Sequence, residues 1–196
     1  TFGPALFDAV KGINLPAAWC DLLRGVDDLV DWCVQAQVLA AAEAKTLLRR
    51  WNGGAEAVDA HRQAVELRRT LRAMLDGLAA GRVQVQASVL DAINATLRDA
   101  ASERQVARTR DGYALRVRRI VETPGQLLAA VAESAAALLS TDDLSLVRAC
   151  QNPECVLFFY DTTKNHTRRW CSMAACGNRA KVAAHYRRAQ QPPSRS

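Results

Sequence analysis

The chain has 196 residues, 49% of them apolar and 23% charged, which is enough for one sizeable core and a small appended module. No run approaches the ~18 uninterrupted apolar residues of a membrane span, and Thr1 to Leu15 has no basic segment leading into an apolar run and cleavage site, so a cytoplasmic protein with no membrane partner is expected. The net charge of +6 is unevenly spread: residues 148–196 carry +7 and residues 1–147 carry −1, the footprint of a polyanion-binding appendage on a near-neutral body.

Residues 15 to about 140 read as mainly helical. Leu22, Val26, Leu29, Val30 and Cys33 recur at spacings of three and four, and Asp27 and Asp28 just after Gly25 favour a helix N-terminus there. A second helix is predicted from about Ala41 to Trp51, stopped by Asn52-Gly53-Gly54. The third, Ala57 to Leu78, is read with Val58, Val65, Leu71 and Leu75 on its apolar side and Arg62, Arg68, Arg69 and Arg72 toward water. Glu56, Asp59, Glu66 and Asp76 are interleaved with those arginines, so the face is read as solvated rather than as a nucleic-acid surface. Val85, Val89, Ile93 and Leu97 form a fourth stripe. The period then becomes alternating: Arg104 to Arg108 and Tyr113 to Ile120 flank Arg110-Asp111-Gly112, a hairpin turn. Thr123 as cap and Pro124 as first residue open a helix to about Leu139, and Ser140-Thr141-Asp142-Asp143 break it and cap the start of the cysteine-bearing segment. Gln190 to Ser196, with two prolines, read as a loose tail.

Four of the six cysteines form two short pairs, Cys150 with Cys155 and Cys171 with Cys176, at a spacing of four, fifteen and four intervening residues. Zinc takes four tetrahedral ligands and binds thiolate well, so a closed all-cysteine set is a structural zinc site by default, with iron–sulfur ligation or a redox pair as the alternatives. The short gap lets the chain turn back so that both sulfurs of a pair meet one ion, and Asn152-Pro153 supplies turn chemistry within it. Leu146 to Ala149 and Val156 to Tyr160 read as two strands whose turn holds the first pair; a helix from about Ser172 through Tyr186 is expected to carry the second. His166 and His185 are weaker ligand candidates, since four thiolates already complete the tetrahedron. Cys20 and Cys33 read as buried small hydrophobes.

The run Arg168-Arg169-Trp170-Cys171-Ser172-Met173, followed by Cys176-Gly177-Asn178-Arg179-Ala180-Lys181, resembles the CGNR zinc finger, and Phe158, Asp161 and Asn165 also fall where that finger's pattern has them. The resemblance covers about Leu146 to Arg188. Upstream, Leu22 to Leu48 and the helix–hairpin–helix order resemble the ABATE domain that precedes this finger in bacterial proteins described as stress-induced transcription regulators. The family's opening Asp-Phe-Val-Asn-Thr is here Asp8-Ala9-Val10-Lys11-Gly12. What the resemblance implies is a zinc-dependent DNA- or RNA-binding protein.

The expected fold is therefore mainly α, of the α+β class: a helical domain with a β-hairpin over 1–143, a treble-clef-like four-cysteine finger over 144–189, and the tail. Arg168, Arg169, Arg179, Lys181, Arg187 and Arg188 are the candidates for phosphate contact, because the acidic partners of a merely solvated helix are missing. Arg179, beside Gly177-Asn178, is read equally as a brace of the finger. Trp170 is read as finger core, and of the consecutive Phe158, Phe159 and Tyr160 a strand should expose at least one ring. Catalysis is poorly supported: four thiolates leave no open metal position, and no phosphate loop or nucleophile–His pair is legible. A protein-interaction module and a redox or zinc sensor are the alternatives. Effector binding, homodimer formation and simple support of the finger all stay open for the N-terminal domain.

Overall fold

The computed structural model describes residues 23–51 and 53–190, the side chains of 187–190 excepted. The expectations for Leu22, Cys20, Asp8 to Gly12 and residues 191–196 of the tail lie outside the described residues.

Helix α1, Val26–Gln35, starts after Gly25 and buries Val26, Leu29, Val30 and Cys33. Asp28 accepts N–H bonds from the Arg24 backbone and guanidinium at 2.8–3.0 Å, fixing the first turn. Burial pushes the Cys33 thiol up to about 12, so it serves as a small apolar group. Helix α2, Ala41–Trp51, buries Ala44, Leu47 and Trp51, and the Trp51 indole N–H donates to the Glu122 carbonyl at 3.3 Å.

Helix α3, Ala55–Ala79, is the spine of the molecule; its 25 residues span about 37 Å. Its buried stripe is Ala57, Ala60, Ala64, Leu67, Leu71, Met74, Leu75 and Leu78. This corrects the predicted face, since Val58 is 65% exposed and Val65 only half-buried. The physical reason lies in the alanines, whose small side chains admit the close approach of the 3-10 turn Pro124–Leu128 against this half of the helix. Arg62 and Arg69 face water as predicted, whereas Arg68 and Arg72 are half-buried.

Helix α4, Ala87–Arg98, buries Val89 and Ile93 and packs on α5, Ala129–Thr141. Between them β1, Ala101–Thr109, pairs antiparallel with β2, Gly112–Ile120. Thr109 faces Gly112, so the turn is the two residues Arg110-Asp111, and Gly112 opens the strand at φ +134°, a backbone angle that side chains rarely adopt. Thr123 and Pro124 begin the next helical segment as predicted, but its first turn is 3-10. There the Gln126 side-chain oxygen accepts from the N–H groups of Glu122 (2.7 Å) and Thr123 (3.2 Å). Helix α5 then buries Ala129, Ala130, Val131, Ala132, Ser134, Ala135 and Leu138, most of its first two turns, with Glu133 left exposed.

Asp143 Oδ1 accepts from Ser145 N at 2.9 Å and caps the turn Leu144–Leu146. Strands β3, Val147–Ala149, and β4, Phe158–Tyr160, come next as a second antiparallel pair. Strand β3 lies against α3, and Val147 and Phe158 belong to the same apolar cluster as the helices. The root of the C-terminal module is thus sunk into the body's core.

Candidate metal centre and its basic face

The strands are three residues each, too short to hold a fold by themselves, so the chain between and beyond them is organised by polar groups. Cys150 N donates to the Leu157 carbonyl and Cys155 N to that of Asn152, both at 2.8 Å, closing the predicted turn around the first pair. Asn152 is buried; its Oδ1 accepts from Glu154 N (3.3 Å) and its Nδ2 donates to Cys176 Sγ (3.5 Å). That residue ties the turn of the first pair to a sulfur of the second.

The second pair does not share a helix. Cys171 precedes the helical segment, and Ser172 caps it, its hydroxyl accepting from Ala175 N at 3.3 Å. Cys176 rides on a single wide turn, Met173–Gly177, from which helix α6, Asn178–Gln190, continues. The predicted helix from Ser172 to Tyr186 is corrected at both ends: the wide turn swings Cys176 back toward Cys171, and α6 runs on to Gln190. Gly177 sits in a crowded place: a Cβ there would lie 3.1 Å from Trp170 Cδ1 and would force the flexible Met173 side chain to move.

The four sulfurs of Cys150, Cys155, Cys171 and Cys176 all lie within 4.8 Å of one another, with Cys155–Cys171 at 3.7 Å and Cys171–Cys176 at 3.6 Å. A tetrahedral zinc with Zn–S bonds of about 2.3 Å sets sulfurs roughly 3.8 Å apart, so the spacing fits that ion. Among the described residues the cluster contains no histidine; His166 instead points its Nδ1–H at the Asp161 carbonyl, 3.2 Å away. Protonation chemistry gives the same reading. Burial pushes the Cys155 thiol up to about 11. Cys171 is raised further, by burial first and then by its neighbours Cys176, Cys155 and Cys150. Burial would raise Cys176 too, but the Asn152 amide and the other sulfurs outweigh it and hold that thiol below its usual value. Sulfurs packed this closely resist ionising together, and a bound dication would relieve that repulsion.

Asp161 is wholly buried and organises the loop that carries the basic residues. Its Oδ1 accepts from Thr163 N (3.0 Å) and Thr163 Oγ1 (2.6 Å), and its Oδ2 from Arg168 N (3.0 Å). Burial alone would raise its pKa; those donors outweigh it and hold the carboxyl below the ordinary value.

The structure separates the two adjacent arginines. Arg168 turns inward: its Nε donates to the Trp170 carbonyl at 2.9 Å, its Nη2 donates to the Cys171 carbonyl, and its guanidinium lies 4.5 Å from the Phe159 ring centroid. Arg169 turns outward, donating to Gln151 Oε1 at 2.6 Å and lying over the half-buried Trp170 ring at 5.1 Å. The expected exposed ring on β4 is absent. Phe158 and Phe159 are buried and Tyr160 half-buried, because the body covers one side of the strand, Arg72 lies over Phe158 and Arg168 covers Phe159. Period-2 exposure assumes a strand open on one face, and this one is covered on both.

Arg179 and Lys181 are exposed on α6. Arg187 and Arg188 belong to the same helix, but their side chains lie outside those described. Beside the metal site a shallow cleft of about 650 Å³ is lined by Thr163, Lys164, Asn165, Arg168, Arg169 and Trp170, among others. Asn152 and Gln151 were missed by sequence reasoning, which treated the first cysteine gap as a turn alone; only the contact across to the second pair reveals their part.

No helix among the described residues is long and apolar enough to cross a membrane. A search of curated proteins finds no match to the chain. The model of the CGNR zinc finger matches residues 147–189, and with the sulfur cluster it makes zinc the metal of this chain. The model of the ABATE domain matches residues 14–142, the greater part of the chain. The chain accordingly belongs to the ABATE family, described as "Putative stress-induced transcription regulator", and carries a CGNR zinc finger behind that domain.

Proposed function

We propose that this chain is a transcription regulator that binds nucleic acid through its finger, with Cys150, Cys155, Cys171 and Cys176 as the zinc ligands. The observation that carries the reading is the basic, aromatic-edged cleft beside the sulfur cluster, in a segment of charge +7 over residues 148–196. Each strand of duplex DNA presents a phosphate every few ångströms, and Lys or Arg contacts to them supply most of non-specific affinity. The metal's part is structural. It fixes the loop 161–170 and the start of α6 relative to each other, so that charges distant in sequence face one polyanion.

Within the basic set the residues divide by role. Arg169, Arg179 and Lys181 make phosphate contacts, joined by Arg187 and Arg188 farther along α6. Arg168 acts as a positioning residue, since its guanidinium is committed to two backbone carbonyls and an aromatic face. Trp170, capped by Arg169, forms the wall of the cleft, an edge on which a base can stack. DNA is the favoured polymer, because the family is one of transcription regulators.

The test is fluorescence anisotropy of labelled duplex DNA and single-stranded RNA with the zinc-loaded chain across a salt series. Arg169→Gln with Lys181→Gln is expected to weaken binding alike for all sequences and to flatten the log–log salt slope by roughly 2. Failure of the zinc-loaded wild type to bind either polymer at low salt overturns the reading.

A further inference from the structure

The body's charge is itself divided. Residues 101–120, the β1–β2 hairpin, hold six arginines against Glu103 and Asp111, a net +4, which leaves −5 on the rest of residues 1–147. The molecule is therefore an acidic helical body with two basic projections, the finger and the hairpin.

The hairpin's surroundings are as unusual as its charge. Its base is held: Val121 is buried, and Arg119 is ion-paired with Glu133 of α5. Beyond that base it leaves the protein. Val106, Tyr113, Leu115 and Val117 are 68%, 73%, 65% and 62% exposed. The register sets Val106 opposite Leu115, Arg104 opposite Val117 and Arg108 opposite Tyr113, so these six share one face. Tyr113 stands beside the turn with the Arg108 guanidinium 5.9 Å from its ring centroid. Arg104, Arg110 and Arg116 have no carboxylate partner among the described residues. A free two-stranded ribbon is marginal in water, and a face with this much bare aliphatic and aromatic surface is built to be covered.

We propose that the β1–β2 hairpin is a second nucleic-acid-contacting element, a ribbon that enters a groove of duplex DNA while the finger holds the same duplex. The partner class rests on the transcription-regulator reading; the surface itself is independent of the finger. The dimensions suit the partner. Two strands about 4.8 Å apart, with their side chains, fit a major groove about 12 Å wide, which admits a two-stranded ribbon. Val106, Leu115 and Val117 meet base edges and thymine methyls, and Arg104, Arg110 and Arg116 reach the flanking phosphates. Charge favours a polyanion and argues against pairing with the hairpin of a second copy, since edge-to-edge pairing would set +4 against +4.

The experiment uses the full zinc-loaded chain, duplex DNA and a salt series, with two variants measured beside the wild type. One is Arg104→Gln/Arg110→Gln/Arg116→Gln, three exposed changes that leave the fold and zinc content intact by circular dichroism and metal analysis. The other is Arg169→Gln/Lys181→Gln in the finger. The hairpin variant is expected to lose about tenfold or more in affinity at 0.1 M salt and to flatten the salt slope by roughly 2–3, and DNA is expected to protect amides of residues 101–120 from hydrogen exchange. An unchanged hairpin variant beside a weakened finger variant overturns the proposal and leaves the finger reading standing. The reverse pattern upholds the hairpin and overturns the finger's role. A hairpin variant that turns a dimer into a monomer with unaltered DNA affinity overturns the proposal in favour of self-association.

Discussion

The helical body and the finger are held together by different physics. The body has a continuous apolar cluster running from Val26 to Leu138, with Leu71, Leu75, Leu127 and Leu138 almost wholly shielded from water. Among the described residues the finger buries Val147 and Phe158 in that cluster and packs Leu144 and Tyr160 against it; the rest of it is hung on four sulfurs, one buried carboxylate and one inward arginine. Apolar burial is non-directional and tolerant of sequence, whereas metal and hydrogen-bond organisation fixes particular side chains at particular angles. The body can therefore serve as scaffold while the finger presents charges in a defined array.

The sharpest way to break the comparison is to remove the metal. Chelation, or Cys176→Ser, should abolish the ordered finger, since zinc binding in such modules is worth on the order of 10 kcal/mol. The helical circular-dichroism signal of the body should survive almost unchanged, losing only the share of α6. Next in size is Phe158→Ala, at a buried ring that both regions use; it should cost about 3–5 kcal/mol and lower the thermal midpoint of body and finger together. Leu75→Ala, at a site with no exposure, should cost a similar 2–5 kcal/mol but leave zinc affinity in the folded fraction unaltered.

Smaller effects separate the finger's polar supports. Arg168→Lys keeps the charge and loses the forked donation to the Trp170 and Cys171 carbonyls; about 1–3 kcal/mol of finger stability should go, read as faster loss of zinc to a chelator. Asp161 gives a pH test. Its carboxyl is depressed in the folded chain, so its contribution is complete above the ordinary carboxylate value and is lost as pH falls through the lower folded value. Asp161→Asn should weaken the finger at neutral pH and make its stability less steep on the acid side; an unchanged acid limb would show that Asp161 does not support the loop. The smallest change is Arg62→Ala, at an exposed ion pair with Asp59, expected to leave both melting and zinc retention unmoved.

Legibility in the sequence divides along the same line. The helices were legible wherever large apolar residues marked the buried stripe, as in α1, but on α3 the buried side opens with three alanines, Ala57, Ala60 and Ala64, and Val58 drew the predicted face the wrong way. The cysteine spacing announced the metal site because ligand chemistry is carried by residue type. Which arginine faces inward was not legible: Arg168 and Arg169 are identical in type and adjacent, and only the buried Asp161, which fixes the backbone at residue 168, decides between them. The hairpin was found by its alternation, yet alternation suggests one buried face, and the structure leaves both Val106 and Leu115 in water.

The most direct measurement of the zinc-dependent finger is a back-titration of metal-free protein with zinc in the presence of duplex DNA, reading metal content and DNA anisotropy together. Binding is predicted to return in proportion to zinc and to be complete at one ion per chain, with the steep salt dependence of a phosphate-contacting surface. Metal-free protein that binds DNA with the same affinity and salt slope as the zinc-loaded form would contradict it.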